Sequence, residues 1–253
     1  FLIAILLIAC RGEPYHSFGD AWRTLPAEMQ GEVQGLPAHW ASVGTEGAVS
    51  TANALASEAA IQMLQAGGNA IDALLAAQWV LAVTEPQSSG LGGGGFLLYY
   101  QAKSKRVYAL DGREEAPSGI DETIFLTKEN KPMPFLMRVE GARAVGVPGT
   151  VALMEYAKKR FGNSQIPFAR TFESALKMAR QGIRVSSRLS QAMHLNRARF
   201  LKQNRGYNPY LHSDKPYNVG EILYQDDLAD TLALLKEEGT ASFYKGAIAK
   251  DIL

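Results

Sequence analysis

One segment is apolar almost all the way round a helix, and it constrains the fold more than any other part of the sequence. It reads NAIDALLAAQWVLAVTEP, residues 69–86, and is apolar at nearly every position of 74–83. A helix that is apolar on all sides must be buried between other layers. Asn69 is a suitable N-cap, Asp72 suits the positive end of the helix, and Pro86 ends it. The sequence therefore predicts a layered protein with this helix inside it.

The neighbouring segments predict both helices and strands. GAVST at 47–51 is a short strand candidate, and ALASEAAIQMLQAGG, after the potential cap Asn53, has helical spacing. Leu55, Ala59, Met63 and Ala66 keep this spacing, and Gly67 and Gly68 are expected to end the helix. Farther along, FLLYYQA and RVYALDGR are joined by a short polar turn, which predicts an antiparallel hairpin.

The second half of the chain is mainly helical in its pattern. Residues 114–140 are predicted as a loop, and ARAVGVPGTVALMEYAKKRFG as a strand, a turn and a helix. PFARTFESALKMARQG, ending at Gly182, and DDLADTLALLKEEG predict two more helices, and 186–205 predicts a basic, solvated helix face. The expected fold class is α/β, with helices packed on a mostly antiparallel sheet.

Charge and cysteine content exclude several functions. The 253 residues include 26 Lys plus Arg and 25 Asp plus Glu, a net charge of +1 that predicts no nucleic-acid partner. Cys10 is the single cysteine, so neither an intrachain disulfide nor a cysteine metal cluster can form. The histidines show no metal-ligand spacing. We therefore predict no metal and no cofactor.

The first ten residues, FLIAILLIAC, indicate export. They are too few to span a membrane but match the apolar core of a secretory signal. Residues 7–10 also resemble a bacterial lipobox, in which Cys10 would carry a lipid anchor; an ordinary signal peptide with an incidental cysteine is the alternative. Residues 11–45 are predicted to be a linker. The expected location is the periplasm or the cell envelope.

The glycines after the apolar helix pose a question about nucleotide binding. Gly90, Gly92 and Gly95 fit the spacing G-x-G-x-x-G, with Asp111 about where a ribose-binding acid would lie. A dinucleotide turn needs a strand before its glycines and a helix after them, and here the order is reversed. We expect instead that residues 92–95 lie where another chain or a buried side chain approaches the sheet closely.

A series of ordered motifs runs through about residues 45–253. The blocks are Leu55-Ala56-Ser57, Gly67-Gly68-Asn69-Ala70, Asp72-Ala73, Glu85-Pro86, Ser88-Ser89-Gly90, Gly92 to Gly95, Arg113-Glu114, Ala116-Pro117, Val147-Pro148-Gly149-Thr150-Val151 and FYKGAIAKDI. In this order they resemble the γ-glutamyltranspeptidase family. The resemblance implies an N-terminal nucleophile hydrolase, an αββα sandwich made as a precursor that cleaves itself into a large and a small subunit. It identifies residues 46–253 as an incomplete large-subunit portion, so the sequence is expected to be a fragment.

The same resemblance implies the chemistry. The new N-terminal threonine of the small subunit attacks a γ-glutamyl amide, and its own amine acts as the base. This nucleophile is expected beyond Leu253, so the chain alone is expected to be inactive and to contain no catalytic residue. Glutathione is the expected donor.

One binding residue is implied within the chain. Arg113, in the block D-x-R-E-x-A-P, would bind the α-carboxylate of the γ-glutamyl group through its guanidinium fork. The alternative from the residues alone is a surface ion pair with Glu114 or Glu115. Gly112 replaces a residue that is often aromatic in the family, so we expect a looser strand end. The motifs Ser88–Gly95 and Val147–Thr150 are interpreted as scaffold.

Other functions stay open on the sequence. Relatives of the same fold act on cephalosporin side chains or on poly-γ-glutamate, although Arg113 favours a γ-glutamyl donor. A non-catalytic envelope lipoprotein, the remnant of a truncated gene, is the alternative from another class. Half of this fold alone would expose a sheet face and favour aggregation, which argues against that alternative.

Overall fold

The computed structural model describes residues 46–203 and 207–253. The longer elements are α1 (Ala54–Gln65), α2 (Ala70–Thr84), β1 (Gly95–Gln101), β2 (Arg106–Gly112), α4 (Thr150–Phe161), α5 (Glu173–Gln181), α6 (Ser187–Gln203) and α7 (Asp226–Glu238). The short ones are α3 (Phe135–Val139), β3 (Ile183–Arg184), β4 (Leu211–His212), β5 (Lys215–Pro216), β6 (Ile222–Leu223), α8 (Ala241–Lys245) and α9 (Ala247–Ile252), with 3₁₀ turns at Ala142–Ala144 and Phe168–Phe172. The expected signal segment with Cys10 and the linker lie outside the described residues. No helix in the described ranges has the length and apolar character to cross a membrane.

Helix α2 is the centre of the core, as its sequence predicts. The Asn69 side chain accepts hydrogen bonds from backbone N–H groups of the first turn, and the Asp72 carboxylate accepts one from the Asn69 backbone N–H, which forms a capping box. Trp79 is fully buried, stacks on Phe172 with 4.7 Å between ring centroids, and donates its indole N–H to Thr171 Oγ1 at 3.1 Å. The helix is thus enclosed by its neighbours on nearly every side.

Helix α1 forms as predicted, and Ala59 and Met63 of the four residues with helical spacing are buried. Asn53 caps it by accepting the Leu55 N–H, yet the Leu55 side chain is 37% exposed. The buried residues are Ala56, Ala59, Ala60 and Met63. The buried stripe consists mainly of alanines, whose small side chains let α1 lie close against α2.

A buried ion pair joins α2 to the end of α4. Asp72, fully buried, lies 2.5 Å from Lys158 Nζ and accepts the Asn163 backbone N–H at 3.0 Å. Asp72 also accepts the Asn69 N–H at 2.9 Å. With all these donors satisfied, the carboxylate fixes the C-terminal end of α4 relative to the core helix.

Strands β1 and β2 form the predicted antiparallel hairpin, with Gly95 opposite Gly112 and Gln101 opposite Arg106. On its inner face, Tyr99 and Tyr108 each pack on Phe161 of α4, with ring centroids 4.8 Å apart. The outer face stays exposed: Phe96, Leu98, Tyr100 and Val107. The hairpin therefore has one covered and one uncovered apolar face.

Two local predictions are wrong, and a third is right only in part. Residues 47–51 form no strand, because no described segment pairs with them and a strand exists only through hydrogen bonds to a neighbour. The strand predicted at 142–147 is a 3₁₀ turn followed by a single bridge between Val147 and Glu115. The loop predicted at 114–140 contains the short helix α3.

The remaining helices agree with the sequence. Helix α5 ends at Gly182 (φ 81°) and α7 at Gly239 (φ 73°), and glycine adopts such positive φ values without strain. The basic stretch forms α6, with an exposed polar face. On the surface, Arg180 of α5 pairs with Asp226 and Asp230 of α7.

Candidate functional site

The glycine run is tied to the beginning of α4 rather than open to a ligand. The Gly93 carbonyl accepts the backbone N–H groups of both Gly149 (2.9 Å) and Thr150 (3.0 Å). A third N–H of this first turn, that of Ala152, is bonded to the Tyr244 hydroxyl at 3.1 Å. These donors are the groups that a phosphate would need at a helix N-terminus. The segment after the glycines is the strand β1 and not a helix. The structure therefore supports the expectation that these glycines form no dinucleotide-binding turn.

Close packing occurs at some glycines and not at others. A Cβ on Gly94 would lie 2.5 Å from the Gly112 carbonyl oxygen, and one on Gly149 would lie 2.0 Å from the same oxygen. Around Gly90, Gly92 and Gly95, the positions of the apparent nucleotide motif, a Cβ would meet no described atom within 4 Å. The expected close approach is thus found at Gly94. We call the packed set Gly93, Gly94, Gly112 and Gly149 the glycine junction.

The end of β2 is tight, which corrects the expectation of a looser strand end at Gly112. A Cβ at this position would lie 2.6 Å from the Cβ of Leu153 on α4. A larger residue would fit here only if α4 moved away from the strand. The glycine therefore brings strand and helix together instead of loosening them.

Arg113 follows β2 directly and extends from the junction. Its backbone N–H donates to Asp111 Oδ1 at 2.9 Å, which fixes the chain direction at this point. Its side chain is 70% exposed, with Nε 3.4 Å from Glu114 Oε2. This ion pair is the surface pairing that the residues alone suggest. The Arg113 guanidinium makes no hydrogen bond to any residue in the described ranges. The guanidinium is therefore exposed and only weakly engaged.

A cleft of about 480 Å³ lies beside Arg113, within the size range of small-molecule sites. Two chain segments and a short apolar loop line it: Gly92, residues 113–117, residues 143–146, Ile120, Ile124 and Phe125. It contains a second exposed arginine, Arg143, which lies in the 3₁₀ turn. We call this site the arginine cleft. Sequence reasoning missed Arg143, whose only signal is its place just before the Val-Pro-Gly-Thr motif.

A smaller cavity of about 270 Å³ lies between the turn after α2 and the segment 207–210. Its polar wall includes Tyr210, and burial raises the pKa of that phenol. A protonated phenol serves neither as a base nor as a nucleophile near neutral pH. Among residues 46–203 and 207–253, no three His, Cys, Asp or Glu side chains are grouped as metal ligands. The arginine cleft is the better candidate for a binding site.

Comparison with known proteins identifies the family. Residues 56–253 match the family model described as gamma-glutamyltranspeptidase. The chain belongs to the γ-glutamyltranspeptidase family. A glutathione hydrolase proenzyme of Bacillus subtilis subsp. natto is 38% identical over 251 residues, which are 99% of this chain and 40% of that protein. The chain thus spans about 40% of the length of this relative.

Solved structures of the family have the same fold. The γ-glutamyltranspeptidase of Helicobacter pylori is similar with a TM-score of 0.77 at 36% identity, over 84% of this chain and 59% of that one. The enzyme of Pseudomonas nitroreducens, solved in complex with L-DON, gives a TM-score of 0.73 at 33% identity, over 81% and 58%. The predicted fold class, an α/β part of the layered N-terminal nucleophile hydrolase fold, is confirmed.

Proposed function

We propose that this chain is the large-subunit portion of an enzyme that transfers or hydrolyses the γ-glutamyl group of glutathione and related amides. Family membership supports the reaction, and the exposed Arg113 at the arginine cleft is the observation that carries the binding role. A guanidinium next to an open cleft can form two parallel hydrogen bonds to a carboxylate. The α-carboxylate of the γ-glutamyl group is the carboxylate that we assign to it.

The Arg113 guanidinium can exchange its present partner, Glu114, for a substrate carboxylate. Its ion pair with Glu114 is long, at 3.4 Å, and mostly exposed, and such pairs contribute little to stability. A donor carboxylate that forms a bidentate pair would therefore replace a weak contact by a stronger one. The glycine junction holds the backbone just before Arg113, which fixes the point from which the side chain extends.

The proposed partner is the small subunit cleaved from the same precursor, whose N-terminal threonine would be the nucleophile. The outer face of the hairpin supports a partner, because four large apolar side chains there are exposed by 59–76%: Phe96, Leu98, Tyr100 and Val107. A strand whose two faces are both apolar is typical of a sheet that is covered on both sides. In an αββα sandwich, the second sheet would cover this face.

We further propose export, with the enzyme in the periplasm or attached to the cell envelope. The apolar segment before Cys10 supports secretion. A lipid anchor on Cys10 remains a prediction from the lipobox pattern and lies outside the described residues. The anchor would leave the folded part in the aqueous phase.

Arg113→Lys in the full-length protein tests the binding role. We expect kcat/KM for γ-glutamyl p-nitroanilide to fall by about tenfold or more, mainly through KM, because lysine cannot form the planar fork. The preparation is first checked by intact mass and N-terminal sequencing for two chains, the second beginning with threonine. Arg106→Lys, at the other end of β2, is the matched control and should keep the wild-type constants. Unchanged constants for Arg113→Lys would remove the proposed role.

A further inference from the structure

The arginine cleft is lined by two arginines and two glutamates, and only one of the arginines is paired with a described carboxylate. Arg113 and Arg143 both line it and both are exposed. Arg113 has Glu114 within 4 Å, whereas no carboxylate among the described residues lies within that distance of Arg143. An arginine at a cleft whose guanidinium is not paired with a carboxylate can bind an anionic group of a ligand.

The segment that carries Arg143 is attached to the segment that carries Arg113. The Val147 N–H donates to the Glu115 carbonyl oxygen at 2.8 Å. A Cβ on Gly146 would lie only 2.9 Å from Glu114 Cβ, so the two backbones are in close contact. Both arginines are therefore held on one site by backbone packing.

The acidic residues of the cleft leave Arg143 available. The Glu114 carboxylate is directed to the glycine junction, with Oε2 2.8 Å from the Cβ position of Gly94, and it is also the partner of Arg113. Glu115, the other carboxylate in the lining, is exposed and lies beyond 4 Å of any described basic group. Neither carboxylate pairs with Arg143.

We propose that Arg143 binds a second carboxylate of the donor, located in the leaving group, while Arg113 binds the α-carboxylate. The cleft would then select γ-glutamyl peptides whose leaving group ends in a free carboxylate over γ-glutamyl amides with a neutral leaving group. The apolar wall formed by Ile120, Ile124 and Phe125 provides a surface for the part of the substrate between the two charges. The proposal rests on the proposed function and adds a specificity residue to it.

The test compares two donors that differ in one charge, glutathione and glutathione amidated at its C-terminal carboxylate. In full-length Arg143→Gln, we expect kcat/KM for glutathione to fall about fivefold, as for loss of an ionic hydrogen bond that is partly exposed to water. The value for the amidated donor should stay within about twofold of wild type. Arg143→Lys should retain part of the preference, because it keeps the charge but not the fork.

Arg138→Gln is the matched control, since Arg138 is an exposed arginine on α3 that is outside the cleft lining. It should leave both donors unaffected. An equal loss on both donors would show that Arg143 has only a structural role, and no loss on either would remove it from the site; both results overturn the proposal. A wild-type enzyme that hydrolyses neither donor would instead contradict the proposed function itself.

Discussion

The glycine junction and the arginine cleft are adjacent in the chain but differ in nearly every physical property. Gly112 belongs to the junction, where its carbonyl oxygen leaves no space for a Cβ on Gly94 or Gly149. Arg113, the next residue, has a side chain that is 70% exposed. The junction is dominated by close backbone packing, whereas the cleft is open and has charged side chains beside an apolar wall.

This difference separates the two tasks of the site. The junction fixes β2 against α4 and so determines where the chain emerges at Arg113. The cleft contributes little to stability, because exposed ion pairs are weak. Substitutions in the junction should therefore affect folding first, whereas substitutions in the cleft should affect substrate binding with little effect on folding.

Gly149→Ala is expected to have the largest effect. The new Cβ would lie 2.0 Å from the Gly112 oxygen, so the strand end and α4 would have to move apart. We expect the free energy of unfolding of the full-length protein to fall by about 3 kcal/mol or more, measured by urea denaturation. Gly95→Ala is the control, because nothing described lies within 4 Å of its Cβ position, and should change stability by less than about 1 kcal/mol. Equal effects would show that the junction is not rigid.

Tyr244→Phe tests the junction from the side of α8 with a smaller expected effect. The Tyr244 hydroxyl donates to the Pro148 carbonyl at 2.7 Å and accepts the Ala152 N–H at 3.1 Å. Burial raises the pKa of this phenol, so it stays protonated and can make both bonds. We expect a loss of about 1–2 kcal/mol in urea denaturation. Tyr156 is exposed on the same helix as Ala152 and makes no side-chain hydrogen bond to any described residue. Tyr156→Phe is therefore the control and should leave the free energy of unfolding unchanged.

Local patterns predicted the elements that depend on local chemistry. The apolar surface of α2 and its Asn69 cap, and the alternating hairpin, needed no knowledge of distant residues. The sequence predicted close packing somewhere within residues 92–95, which is found at Gly94. The motif spacing, however, singled out Gly90, Gly92 and Gly95, where a Cβ would meet no described atom within 4 Å. The glycines that do pack closely depend on a carbonyl at Gly112, which is remote in sequence from Gly149.

The cleft was harder to predict. The expectation for Arg113 came from its resemblance to a family motif, since an arginine beside two glutamates is otherwise typical of a surface ion pair. Arg143 is a single arginine in an irregular segment, without periodicity or a paired motif. Its relation to Arg113 depends on the bridge between Glu115 and Val147, which only the tertiary structure reveals.

Glu140→Gln gives the smallest expected effect and separates the two regions most sharply. Glu140 links the segment before Arg143 to α6, through Arg199 at 3.4 Å and Lys202 at 3.4 Å. Removing these partly exposed pairs should lower stability by less than about 1 kcal/mol. Because the segment is then held less firmly, KM for glutathione should rise about twofold, as expected for a positioning residue.

The control and the double variant decide how Glu140 acts. Glu129 is an exposed glutamate without an ion pair among the described residues, so Glu129→Gln is the control. It should change neither the free energy of unfolding nor KM. In an Arg143→Gln background, Glu140→Gln should have no further effect on KM, because its role depends on the arginine that it positions. An undiminished rise in KM in that background would place the effect of Glu140 elsewhere. A loss of several kcal/mol in urea denaturation would instead mean that the cleft and the fold are not separable.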